Sequence, residues 1–399
     1  MSSPSSGAVP TVPAADRPPA PPVGTRSVPR PRAHRAVRLL PRHTSRQARG
    51  LLRRARSLRL PALSSALAAF ALAGCGVLIL RLVQAQTGTT GLLVGLGLAL
   101  LPLPFVLGGL AWLNQTARVP VRHTVFCLAW GACAATTVAI MANGWASDFL
   151  IAHQGSARGE TLGAEFATPL IEETAKAAAL LILLLPVRRR LRCRTRRGPG
   201  LLRRAAGRPP RGPGRTRVGP GPSRYVRAVP HERRRARSSP RTLAAGTVLG
   251  GLTACGFAFT ENALYLGRAF TADQQARLDS IGLGEAPSLR DFDGTVHTFV
   301  LRGLLSPFAH PLFTALTGLG LALTLTTGRR WLARVAAPAG LLLSMALHGV
   351  WNAAAGLGTD GFLLVYGLLM VPAFALLVCF AAWAQTRRSR QPVRAVARC

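Results

Sequence analysis

The sequence predicts an all-α membrane protein, a polytopic bundle of about eight transmembrane helices with both termini in the cytoplasm. Three observations predict it. First, 49% of the 399 residues are hydrophobic and only 16% charged, yet the formal net charge is +36, a combination that soluble domains rarely show. Second, the apolar residues fall into blocks of about 20, long enough to span a bilayer as helices. Third, basic residues alternate from one connection to the next, as the positive-inside rule requires. Together these exclude a secreted scaffold, a coiled coil and an ordinary cytosolic enzyme. The seven cysteines (Cys75, Cys127, Cys133, Cys193, Cys255, Cys379, Cys399) include no CxxC pair, so neither a disulfide framework nor a zinc-thiolate site is indicated.

Residues 1–60 form a basic, Pro- and Arg-rich N-terminal segment. Nine prolines in the first 31 positions and few large apolar residues predict disorder over residues 1–46. No early apolar stretch resembles a secretory signal, so the N-terminus is expected to stay uncleaved. From Gln47 to Leu60, Arg and Leu alternate at near-helical spacing, which suits either an interfacial helix on an anionic leaflet or the basic flank of the first span.

The transmembrane domain, residues 61–384, contains eight apolar blocks: Pro61–Leu82, Gly91–Leu113, Thr124–Asn143, Phe166–Pro186, Thr242–Leu266, His297–Thr327, Trp331–Ala354 and Gly361–Ala384. The sixth is longer than a span needs and holds Arg302 near its start, so its membrane portion is expected to begin near Gly303. Arginines collect before span 1 and after spans 2, 4, 6 and 8, with thirteen in residues 17–60 and twenty in residues 187–241. The other connections are neutral or acidic, notably residues 267–296 with Asp273, Asp279, Glu285, Asp291 and Asp293. Every connection thus agrees with a plasma-membrane protein whose N- and C-termini are cytoplasmic. The inserted segment 187–241 reads as a membrane-hugging basic linker, and 385–399 as a basic tail. Their partner is anionic lipid; the linker's single aromatic residue, Tyr225, argues against specific nucleic-acid binding.

Ionisable groups inside these spans carry the chemistry. The protein has 49 arginines and one lysine, and that lysine, Lys176, lies in span 4 with Glu172 and Glu173. Glu261 lies in span 5, His310 in span 6, and His348 with Asn352 in span 7. An ionisable side chain at bilayer depth costs roughly 2.5–3.5 kcal/mol even on lenient insertion scales, so function is the default reason to keep one. Residues four apart share a helix face, and Glu172/Lys176, Phe257/Glu261 and His348/Asn352 all have that spacing. At 1.5 Å per residue these groups fall roughly 8–10 Å below the outer end of their spans, in one layer. Alternatives of a purely structural kind exist: an intramembrane histidine can serve as an interhelical hydrogen-bond partner, and Glu172–Lys176 as a buried ion pair. Glu173 breaks that balance, because two carboxylates sharing one cation leave the charge asymmetry that general acid–base catalysis uses.

The motifs Glu172-Glu173-Thr-Ala-Lys176 (EExxK), Phe257-Ala-Phe-Thr-Glu261-Asn262 (FxxxEN) and His348-Gly-Val-Trp-Asn352 (HxxxN), with His310 in the preceding span, resemble the PrsW family of intramembrane proteases, distant relatives of the CAAX-prenyl endopeptidases. The resemblance covers roughly residues 120–384. It implies a peptidase that hydrolyses membrane-anchored, single-span protein substrates near the extracytoplasmic side, such as anti-sigma factors. By it, Glu172 or Glu173 polarises the attacking water, Lys176 holds the carboxylates in place, Glu261, His310 and His348 complete the centre, and Asn352 donates to the oxyanion. Glu261, His310 and His348 also form a candidate zinc set; a metal-free glutamate mechanism uses the same groups. Asn352 stands where other members have Asp. The rival reading is a proton- or ion-coupled transporter, which would favour broken helices and a midplane site, whereas the groups here lie off-centre on spans that read as continuous.

Overall fold

The computed structural model describes residues 42–196, 240–286 and 288–389. The chain divides into a unit of residues 1–62 and a unit of residues 63–399. In the first, residues 42–62 are helical, including the Gln47–Leu60 stretch; residues 1–41, most of the segment expected to be disordered, lie outside the described residues. Everything below belongs to the second unit.

The described residues form helices and no strands. In chain order the helices are α1 (Arg42–Leu100), α2 (Leu103–Ala117), α3 (Val121–Ala129), α4 (Thr136–Gln154), α5 (Ser156–Leu162), α6 (Thr168–Arg196), α7 (Pro240–Gly282), α8 (Asp293–Phe299), α9 (Ala309–Thr326), α10 (Arg330–Ala355), α11 (Gly358–Val365) and α12 (Val371–Ser389). Six helical runs are long and apolar enough to cross a membrane: Ser65–Ala117, Val121–Gln154, Pro240–Gly282, Arg290–Thr326, Arg330–Ala355 and Gly358–Arg387. The protein is therefore a multi-pass membrane protein.

The difference from eight apolar blocks has two physical sources. The fourth block, in α6, falls outside the set because Glu172, Glu173 and Lys176 interrupt it. The first two blocks share one run, which Gly88 divides: its φ of 68° is open to glycine and strained for other residues. Before the break, Ile79 and Val83 pack with Leu264 of α7; after it, Gly91 and then Gly95 approach Gly267 and then Ala263. Thr271 donates to the Thr87 carbonyl at 2.7 Å. The chain climbs α7 to Thr271 and then descends it, so the two arms form a helical hairpin.

Three other expectations are revised. The segment after span 4 begins as helix, since α6 continues to Arg196; residues 197–239 lie outside the described residues. The acidic connection after span 5 is largely a continuation of α7 to Gly282. Span 6 is broken. It comprises α8, a π-helical turn over Val300–Leu305, a non-helical step at Ser306 to Phe308, and then α9, so that His310 sits in the first turn of a new helix.

The core is α7, buried along almost its whole length from Leu243 to Gly267. Its sequence there is rich in Gly, Ala and Thr, which let neighbouring backbones come close, the usual basis of helix association in lipid. Gly246 faces Gly318 of α9 so closely that a Cβ on either would meet the other's carbonyl, and Gly250 abuts the Thr314 carbonyl in the same way. On the opposite side of α9, Gly320 and Gly340 of α10 approach each other, a Cβ on Gly320 lying 3.1 Å from the Gly340 Cα. Antiparallel packing along these seams places Glu261, His310 and His348 at one level. Gly318→Val should force α7 and α9 apart and destabilise the fold by about 1–3 kcal/mol, the range for overpacked cores. A lowered unfolding midpoint in detergent, together with lost activity, checks this; an unchanged midpoint would show that the seam does not hold the bundle.

Candidate active site

The site grows from one turn of α6. Glu172, Glu173 and Lys176 project from it at i, i+1 and i+4, and all three are buried. Lys176 Nζ donates to Glu173 Oε1 at 2.8 Å and to Glu172 Oε2 at 3.3 Å. It also lies 3.3 Å from His310 Nδ1 and 3.8 Å over the ring of Phe257, the residue one turn before Glu261. The side chain is fully enclosed, at 0% exposure, so its charge is met entirely by these groups.

Glu173 is saturated. Its Oε1 accepts from Lys176 and lies 3.2 Å from His348 Nδ1, while Oε2 accepts from the Thr314 hydroxyl at 2.8 Å and the Ser344 hydroxyl at 2.7 Å. One carboxylate thereby ties α6 to α9 and α10. Glu172 is held more loosely. Asn143 of α4 donates to its Oε1 at 3.3 Å, and its Oε2 lies 3.8 Å from His348 Nε2. The two imidazoles stand edge-on, with centroids 5.2 Å apart, and Phe313 stacks on His348 at 5.0 Å.

Glu261 reaches the same centre from α7. Its Oε2 is 2.8 Å from His310 Nε2, an approach off the hydrogen-bond axis that leaves the oxygen buried without an aligned donor. Its Oε1 accepts from Arg302 at 3.2 Å. Beside Glu261 and His310 opens a cavity of about 400 Å³, walled also by Thr168, Tyr265, Arg302, Ser306, Trp351 and Asn352.

The candidate residues Glu172, Glu173, Lys176, Glu261, His310 and His348 are thus brought into one cluster. Asn352 lies outside the hydrogen-bonded cluster but on the wall of the cavity beside Glu261 and His310; one N–H of its amide donates to the Ala164 carbonyl at 2.9 Å, and the second N–H is not used by that bond. Ligand atoms of Glu172, His310 and His348 lie within 4.8 Å of one another, a grouping that includes two of the expected metal ligands and adds Glu172. Glu261 instead pairs with the far nitrogen of His310, as Glu173 pairs with His348. Each imidazole thus has one nitrogen on a carboxylate; the other nitrogen of His310 faces the Lys176 ammonium at 3.3 Å, and that of His348 faces Glu172 Oε2 at 3.8 Å. Two histidines and a glutamate at this spacing could hold a metal ion.

Several participants escaped the sequence reading. Ser344 precedes His348 by four residues and Thr314 follows His310 by four, so the same-face rule would have found both. Arg302 was set outside the membrane because it is charged, and Asn143 marked only the end of a span.

Carboxylates, an ammonium and paired imidazoles gathered within apolar helices, beside a cavity that polar side chains partly line, form the candidate centre of a membrane-embedded hydrolase. Residues 119–377, more than half of the chain, match the family described as PrsW family intramembrane metalloprotease, and the chain belongs to that family. Neither a curated protein nor a solved structure matches it.

Removing a hydroxyl that serves Glu173 should cost about 1.5–3 kcal/mol, the value of a hydrogen bond to a charged group. Ser344→Ala and Thr314→Ala are each expected to lower stability in detergent by that amount. Thermal unfolding of both variants checks it, and a neutral result at both positions would mean that Glu173 is not anchored by them.

Proposed function

We propose that this intramembrane protease cuts single-span, membrane-anchored proteins within or just beyond their extracytoplasmic segment, using Glu172 to activate water. The single observation that carries the reading is the meeting of Glu172, Glu173, Lys176, Glu261, His310 and His348 in one buried cluster beside a cavity that polar side chains partly line. Hydrolysis needs water at the scissile carbonyl, and such a cavity admits it where lipid would not.

Glu172 is assigned the proton-accepting role because its contacts are all 3.3 Å or longer, whereas both oxygens of Glu173 are taken by closer donors. The water oxygen bonds to the carbonyl carbon as its proton passes to Glu172; the C–N bond then breaks and the amide nitrogen leaves with that proton. Lys176 offsets the paired carboxylates. Glu173 orients His348, and Glu261 orients His310. In the alternative metal-bound form, zinc held by Glu172, His310 and His348 would supply Lewis-acid polarisation of the scissile carbonyl, and Glu172 would then serve as ligand in place of base.

The membrane arrangement belongs to the same proposal. Counting both arms of the α1 hairpin and α6, the chain crosses the plasma membrane eight times with both termini inside, and its basic segments lie against anionic lipid. That orientation puts the cluster in the outer half of the bilayer, where cleavage would release a regulator such as an anti-sigma factor from its anchor. The break before His310 is a feature that transporters share, yet the convergence of three carboxylates on two imidazoles favours hydrolysis.

In a reconstituted cleavage assay with a tagged single-span substrate, Glu172→Gln should lower the turnover rate by about 10²–10⁴-fold, the contribution of a general base. His348→Ala should be similarly inactive, and a zinc chelator should stop the wild-type enzyme reversibly. Full cleavage by Glu172→Gln, or ion flux in proteoliposomes lost on the same substitution, would overturn the reading.

A further inference from the structure

The mechanism leaves Arg302 unused, although its guanidinium sits at the edge of the centre. Arg302 belongs to the π-helical turn Val300–Leu305, a rare geometry that recurs at functional sites. Its Nη2 donates to Glu261 Oε1 at 3.2 Å and its Nη1 to Asn262 Oδ1 at 3.4 Å, while the guanidinium lies 3.8 Å over the ring of Tyr265. All three partners are on one face of α7. The side chain is a quarter exposed, on the wall of the cavity. A guanidinium presents its donors in a fixed plane, so engaging two acceptors and one ring leaves it a single placement.

That placement bears on the centre through Glu261. With Oε1 held by Arg302, Oε2 is kept 2.8 Å from His310 Nε2, a charge contact off the hydrogen-bond axis. His310 then presents Nδ1 to Lys176, 3.3 Å away, and a ring nitrogen of His310 lies within 4.8 Å of ligand atoms of Glu172 and His348. Arg302, Glu261 and His310 form a relay from the cavity wall to the reacting groups. It parallels the pair made by Glu173 and His348, with Arg302 supplying the support that Thr314 and Ser344 give Glu173.

We propose that Arg302 is a positioning residue of this protease: by holding Glu261 it sets the orientation of His310, and it acts on the rate of the chemical step without contacting the scissile bond. The inference rests on the protease reading for its kinetic consequence; the Arg302–Glu261 coupling itself is measurable without it. Loss of an outer-shell partner of a histidine ligand typically costs 10- to 100-fold. Arg302→Gln should therefore lower kcat by about that factor, with KM changed less than about twofold. Arg302→Lys, which returns the charge without the planar fork, should recover part of the loss. In a Glu261→Gln background, Arg302→Gln should cost less than about threefold more, because the two residues act as one unit.

The experiment is this double-mutant cycle in purified full-length protein in detergent, with kcat and KM for a single-span substrate and the thermal midpoint recorded for all four variants. Non-additive midpoints with non-additive kcat values are the expected result. Independent, multiplicative losses in kcat would overturn the proposal, as would a change confined to KM, which would make Arg302 a substrate contact. Should Arg302→Gln fail to fold, Tyr265→Leu, which removes only the stacking surface, replaces it and should show a smaller kcat loss with KM unchanged; no change would overturn the proposal. If the wild-type protein cleaves nothing, the protease reading fails, and additive midpoints would show separately that Arg302 and Glu261 are uncoupled.

Discussion

Everything in the site depends on a single buried cation. Lys176 places its ammonium among Glu172, Glu173, His310 and the ring of Phe257, where no solvent reaches it. An ion so enclosed has given up its hydration, and only near neighbours of opposite charge offset that cost. The consequence is geometric. The carboxylates must stay within about 3 Å of the ammonium, and the helices that carry their other partners must stay close to α6. Glu173 transmits the constraint to α9 and α10 through Thr314, Ser344 and His348.

Small residues make that convergence sterically possible. The facing glycines of α7, α9 and α10 bring backbone against backbone, and side chains as short as Ser344 and Thr314 can then reach a carboxylate on a neighbouring helix. In lipid there is little hydrophobic gain from helix association, so close packing and interhelical hydrogen bonds must hold the bundle. The same contacts that stabilise the fold thus aim the catalytic groups. Function and stability are coupled here more tightly than in a soluble enzyme whose site rides on surface loops.

Much of the centre was legible in residue type and spacing. Charged and imidazole side chains are conspicuous within apolar blocks, and the four-residue rule put Glu172 with Lys176, a pairing that holds in space; Phe257, four residues before Glu261, instead covers the Lys176 ammonium. Legibility ended where a role depends on a partner from another helix. Asn352 shares a face with His348, yet its amide is bound by a carbonyl of the turn before α6. Arg302 looked like a boundary because charge usually marks one, whereas Glu261 and Tyr265 make a place for it inside. The break before His310 has a local signal in Pro307, which hydropathy alone passes over because the flanking residues are apolar.

By itself, then, the sequence determined that this chain is a helical membrane protein and which ionisable side chains lie within its apolar blocks, because hydropathy and charge are properties of single residues and of their spacing along one helix. Only the tertiary structure decided which nitrogen meets which oxygen: that Glu261 meets His310 while Glu173 meets His348, that Glu173 is the anchor, and that Arg302 joins Glu261. Those outcomes turn on distances of a few ångströms between helices far apart in the chain, and such distances are set by packing, which no local pattern encodes.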